Sequence, residues 1–136
     1  MEFAGFSELT PIYDGATSRV FRAKRDSDGN QVILKALSIA GGDRVQLSRY
    51  QREFEIVERL NFADAIQIYS LFSSGPLCVM EMEDFGGESL ASWLAKNQRQ
   101  GLPLEEALEV SAKAAAQLAS VHASNVIHKD VNPANI

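Results

Sequence analysis

The sequence predicts an α+β fold in two parts: a five-stranded antiparallel sheet with one main helix over residues 1–83, then the first helices of an all-helical part over residues 84–136. Three observations carry this. The N-terminal part holds short apolar segments, several of them alternating, separated by turn residues. One stretch, Val45 to Leu60, breaks that pattern with apolar residues at helical spacing. From Glu83 onward the composition shifts to a glycine-rich break followed by alanine-rich helical sequence.

Phe6 to Tyr13 is a short mixed segment in which Pro11 argues for an edge strand, because proline cannot donate to a sheet ladder. Asp14-Gly15 turns the chain into Arg19 to Lys24, which alternates like a half-exposed strand. A stronger turn, Asp26 to Asn30, leads into Gln31 to Leu37, rich in branched residues. Gly41-Gly42-Asp43 precedes the helix Val45 to Leu60, where Tyr50, Phe54, Val57 and Leu60 share one face and Glu53 lies near it. Ile66 to Phe72 and Leu77 to Met82, joined by Ser73 to Pro76, complete the sheet.

Asp84 to Glu88 reads as a hinge, and Ser89 as the N-cap of a short helix ending near Lys96. Gly101 and Pro103 introduce a long helix whose expected packing stripe is Leu104, Leu108, Ser111, Ala115, Leu118 and His122.

A net charge of −5 offers no basic stripe for nucleic acid. The single cysteine, Cys78, allows neither an internal disulfide nor a paired metal motif, which fits a reducing compartment. No secretory signal opens the chain, and no apolar run reaches the length of a membrane span. The expected location is cytoplasmic.

The residues that carry chemistry are few. Val126-Ile127 deliver His128-Lys129-Asp130, and four residues separate Asp130 from Asn135. That loop can offer a carboxylate and an amide oxygen to one site, although Asp-Val-Asn-Pro-Ala-Asn also reads as a turn of short polar side chains. His128 reads equally well as a packed core histidine. Lys35 closes Val32-Ile33-Leu34-Lys35 and is either a solvated strand end or the partner of Glu53. Glu53 competes with its neighbours Glu55 and Glu58 for that part. The hairpin from Tyr13 to Val20 keeps one glycine, Gly15, where a phosphate-covering loop uses three, and alone it is an ordinary hairpin.

Taken in order, these parts resemble the eukaryotic-like serine/threonine protein kinase family, from its small lobe to the catalytic loop of its helical large lobe. Val-Ile-Leu-Lys-Ala-Leu, Glu-Asp-Phe-Gly-Gly-Glu-Ser-Leu and Ile-His-Lys-Asp-Val-Asn-Pro-Ala-Asn-Ile look like the kinase domain at the front of large bacterial multidomain sensor proteins. The resemblance implies ATP and Mg²⁺ as cofactors and a protein substrate. It makes Asp130 the catalytic base, Asn135 a metal ligand, and Lys35 with Glu53 the ion pair that positions phosphates. It places Gly15, Val20, Ile33, Met82, Glu83 and Phe85 around the nucleotide. In that arrangement the segment from Met82 supplies backbone hydrogen bonds, with Met82 guarding the back of the pocket.

Departures from the family pattern shape the expectation. Asn132 stands where serine/threonine kinases commonly carry lysine, Ile33 where a small alanine lies under the adenine, and Lys129 where arginine reads a phosphorylated loop. No Asp-Phe-Gly motif or activation segment follows Ile136. The 136-residue chain by itself is therefore expected to be an inactive, truncated piece of a larger multidomain polypeptide. The alternative is a pseudokinase or regulatory interaction module, motivated by the degenerate glycine loop and Asn132.

Overall fold

The structure is a computed structural model that describes residues 1–15, 18–39, 44–59 and 66–136. The expected break at Gly41 to Asp43 and the helix residue Leu60 lie outside the described residues.

The strands are β1 (Phe6–Asp14), β2 (Ser18–Arg25), β3 (Gln31–Ser38), β4 (Ile68–Ser74) and β5 (Leu77–Glu83). They form one antiparallel sheet in the order β1-β2-β3-β5-β4. β1 takes the edge, as Pro11 requires, and the ladder shifts register between Pro11 and Tyr13. The β4–β5 turn is tight because Gly75 adopts φ +56°, a left-handed conformation that costs other residues about 1 kcal/mol.

The sheet buries both faces. On one, Phe21, Ala23, Val32, Leu34, Ala36, Leu77 and Val79 pack with Phe3. On the other, Leu37, Cys78 and Met80 meet Tyr50 of helix α1 (Arg44–Arg59), with Leu47, Phe54, Ile68 and Leu71 alongside. Leu34, Met80, Val32 and Val79 are fully buried, each contributing about 1.5–3 kcal/mol of hydrophobic stabilisation. Leu47, Tyr50 and Phe54 recur at helical spacing, so one stripe of α1 faces the sheet.

This sheet and α1 make one compact unit, which ends at Phe85, and a second is built from Gly86 to Ile136. In the second, Ser89 caps α2 (Leu90–Lys96) by accepting the Ser92 N–H at 3.2 Å. Helix α3 (Leu104–Ala123) follows. Its packed side keeps Ser111, Ala115 and Leu118 of the expected stripe and departs from it at Leu104, Leu108 and His122. Ala107, Val110, Ser111, Ala114, Ala115 and Leu118 face an open apolar groove shared with Leu90, Leu94 and Leu102, whereas Leu104 and Leu108 are exposed. Alanine and leucine occur around much of α3, so spacing alone does not select a face; the approach of Leu90 and Leu94 does. No described helix is long and apolar enough to cross a membrane.

Candidate functional site

In the first unit the strand register sets the face of each expected residue. Val20 lies opposite Lys35 and Arg22 opposite Ile33; across the next ladder Lys35 lies opposite Met80 and Ile33 opposite Met82. Directly paired residues share a sheet face, so Val20, Ile33, Lys35, Met80 and Met82 lie on one face of the sheet, the side that carries α1, with Met80 buried beneath the helix. Lys35 is not an edge residue, since β3 is the central strand.

Its ammonium reaches Glu53, with Nζ 2.7 Å from Oε1. Of the competing carboxylates, Glu55 lines a surface hollow with Ser48, Gln51 and Arg52 instead, and the side chain of Glu58 lies outside what is described. Lys35 Nζ also stands 5.4 Å from the centroid of the Tyr50 ring. The Tyr50 hydroxyl in turn donates to the main-chain carbonyl of Lys35. Burial first, then the nearby charges of Glu53 and Cys78, push the Tyr50 phenol well above its ordinary range, so the hydroxyl keeps the proton it donates.

Met80 is the residue that sequence reasoning missed. It is fully buried and faces Lys35, whereas the more exposed Met82 faces Ile33, so the position beside the lysine belongs to Met80. The period of two puts Met80 and Met82 on one face of β5, and only the strand register chooses between them. Within the segment from Met82 to Phe85, the Glu83 main-chain N–H donates to the Gln67 carbonyl at 2.8 Å. Phe85 is 65% exposed. Beside it, Asp84 takes a two-pronged contact from Arg22, Nε to Oδ2 at 2.5 Å and a second nitrogen to Oδ1 at 3.1 Å. This raises the already high Arg22 pKa, through hydrogen bonding and then charge, and ties the segment after β5 to β2.

At the tip of the β1–β2 hairpin, the Gly15 N–H donates to the Ser18 carbonyl at 3.0 Å. A Cβ on Gly15 would fall 2.5 Å from the Tyr13 hydroxyl, so the bare Cα leaves room for that ring. Ala16 and Thr17 lie outside the described residues.

In the second unit the loop from Val126 to Ile136 is anchored on α2. The first turn of a helix has N–H groups without intrahelical partners. Here Leu90 N–H donates to the Ile136 carbonyl at 2.6 Å and Ala91 N–H to that of Pro133 at 2.8 Å. Within the loop, Asn132 Nδ2 donates to Asp130 Oδ1 at 2.8 Å, and Asn135 Nδ2 to Asp130 Oδ2 at 2.9 Å. Asn132 Oδ1 accepts the Ala134 N–H at 2.9 Å. Lys129, at φ +64°, makes the left-handed turn that presents Asp130. His128 is exposed rather than a packed core histidine, and its Nδ1 accepts the Asp130 N–H at 3.3 Å. The short polar side chains of this segment thus form a turn that holds the Asp130 carboxylate.

A five-stranded antiparallel sheet with one helix, followed by a helical unit bearing this loop, fits the small lobe and part of the helical lobe of a protein kinase domain. The chain belongs to the protein kinase domain family, whose model matches residues 6–136. Among its relatives, it is 30% identical over 129 residues to serine/threonine-protein kinases drp72 of Corynebacterium efficiens, covering 90% of this chain and 24% of that protein. It is 29% identical over 138 residues to serine/threonine-protein kinase PkaA of Streptomyces coelicolor, covering 93% and 25%. The crystal structure of a point mutant of the Mycobacterium tuberculosis PknI kinase domain matches with a TM-score of 0.79 and 26% identity, over 99% of this chain and 55% of that one. The chain thus spans about a quarter of the length of these two curated relatives.

Proposed function

We propose that the chain is the nucleotide-binding and catalytic-loop part of a cytoplasmic serine/threonine protein kinase that transfers the γ-phosphoryl group of ATP to a protein hydroxyl. The observation that carries this reading is the Lys35–Glu53 ion pair at 2.7 Å, because it fixes a cation at the centre of a sheet face otherwise lined by Val20, Ile33, Met80 and Met82. An apolar patch with one oriented ammonium suits a flat base joined to phosphates.

Lys35 holds the α- and β-phosphates and Glu53 keeps its ammonium pointed there. Val20 and Ile33 lie against the adenine, Met80 closes the back, and the segment from Met82 to Phe85, stapled through Asp84 to Arg22, borders the front. Gly15 lets the hairpin backbone approach the phosphates. Asp130 accepts a hydrogen bond from the acceptor hydroxyl and takes its proton as the new P–O bond forms and the bond to the leaving diphosphate breaks. Its two asparagine donors hold the carboxylate without neutralising it.

The donor set fits Mg²⁺. Asn135 spends its Nδ2 on Asp130, and among the described residues nothing donates to its Oδ1, leaving a hard oxygen ligand. Among the described residues no cluster of three or more His, Cys, Asp or Glu could hold a metal, and Asn135 would be one oxygen ligand beside those of the phosphates. Bound Mg²⁺ supplies neutralisation of the phosphate charge.

The test is phosphoryl transfer from radiolabelled Mg-ATP to a general serine/threonine protein acceptor by the intact gene product. Asp130→Asn lowers transfer by about 10²–10⁴-fold while nucleotide binding persists; undiminished transfer in that variant rejects the assignment.

A further inference from the structure

We infer that Tyr50 is a positioning residue for Lys35, holding the strand lysine and helix α1 in the register that lets Glu53 pair with it. The inference rests on the proposed role of the Lys35–Glu53 pair. Three links join α1 to Lys35. Glu53 bonds the ammonium at 2.7 Å, the Tyr50 ring centroid lies 5.4 Å from the same nitrogen, and the Tyr50 hydroxyl bonds the carbonyl of the same residue.

The two side chains play unlike parts. Glu53 is exposed and its pairing with Lys35 competes with water, so alone it holds the helix weakly. Tyr50 is 4% exposed, fixed among Leu37, Cys78 and Met80. Its hydroxyl grips main chain rather than a flexible side chain, so it ties the helix to the strand. The spacing does the rest. Tyr50 and Glu53 stand three apart on α1, neighbours on one helical face, so seating the ring delivers the carboxylate. The ring's π face adds an attractive surface for the ammonium.

The test measures Lys35 itself in the intact gene product, without nucleotide. Trace acetylation with acetic anhydride, read by mass spectrometry, reports how freely the amine reacts, with Lys24 and Lys113 as internal controls. Glu53→Gln calibrates the unpaired lysine. Tyr50→Phe keeps the ring and the core volume but removes the hydroxyl. It is expected to raise Lys35 labelling about fivefold, the population change carried by one net hydrogen bond, with the controls unchanged.

Labelling of Tyr50→Phe at the wild-type rate, while Glu53→Gln labels faster, overturns the positioning role and leaves the kinase reading intact. Wild-type labelling in both variants overturns the ion pair and the inference together. The wild-type protein provides a check that needs no variant: the bonded Tyr50 hydroxyl proton should exchange slowly enough to be seen by NMR. A proton lost to fast exchange with water also overturns the inference. Because no nucleotide is used, these results stand apart from the phosphoryl-transfer assay.

Discussion

Asn135 grips Asp130 twice, at the carboxylate Oδ2 (2.9 Å) and at the main-chain carbonyl (2.8 Å). Asn132 holds the other carboxylate oxygen. Asn132 is thus a neutral donor that orients the Asp130 carboxylate without adding a positive charge.

The two asparagines should separate in kinetics. Asn132→Ala removes the bond to the carboxylate, a longer one at 3.4 Å to the Asp130 main-chain carbonyl and the acceptor of the Ala134 N–H, and should lower transfer about fivefold or more, each net hydrogen bond carrying about that factor. Asn135→Ala likewise removes two bonds to Asp130 and, in addition, the proposed metal ligand, so the loss should be larger and the Mg²⁺ requirement should rise. Rates measured across a Mg²⁺ series decide this, and equal losses with no Mg²⁺ shift would reject the ligand role of Asn135.

Lys35→Met should damage function far more than folding. Its partner Glu53 is 48% exposed at the side chain, and solvent screening limits such pairs to about 0.2–1 kcal/mol. Thermal denaturation should therefore change little while Mg-ATP-dependent transfer collapses. A large fall in Tm with transfer preserved would make the pair a structural staple instead.

Glu81 predicts the opposite balance. It is 6% exposed and accepts from Arg25 Nε at 2.6 Å and Ser70 Oγ at 2.7 Å. Arg25→Met would strand a buried carboxylate, at a cost of about 3 kcal/mol or more, whereas Ser70→Ala should cost about 1 kcal/mol. Replacing both partners, Arg25→Met with Glu81→Leu, should recover most of the loss. Urea midpoints test the series, and a double variant no more stable than Arg25→Met would contradict the argument.

Alkaline pH should loosen the first unit through Tyr50. Its folded pKa is raised above the ordinary value near 10, first by burial and then by Glu53 and Cys78. A group whose pKa is raised on folding gives stability that is complete below its unfolded pKa and is lost as pH climbs towards the folded value. Stability should thus hold up to about pH 10 and fall above it, with buried Cys78, also raised by burial, adding to the decline at slightly lower pH. Tyr50→Phe should flatten the Tyr50 component in a circular-dichroism titration. An unchanged alkaline limb would assign the loss to other groups.

The sequence alone determined the order and type of the elements, because turn residues and apolar periods are local properties. Ser89 at the start of α2 and Pro11 on an edge strand follow from capping and from the missing N–H. The Lys35–Glu53 pairing was also legible, since helical spacing keeps Glu53 beside the apolar face of α1. Tertiary structure decided what local chemistry leaves degenerate. Apolar residues surround much of α3, so only the approach of Leu90 and Leu94 selects its packed side. Strand pairing puts Met80, rather than Met82, across from Lys35. The bonds from Tyr50 to Lys35 and from Arg22 to Asp84 join residues far apart in the chain, and no period or turn preference encodes which distant partner a side chain will meet. Burial and register make that choice, because they are properties of the packed sheet.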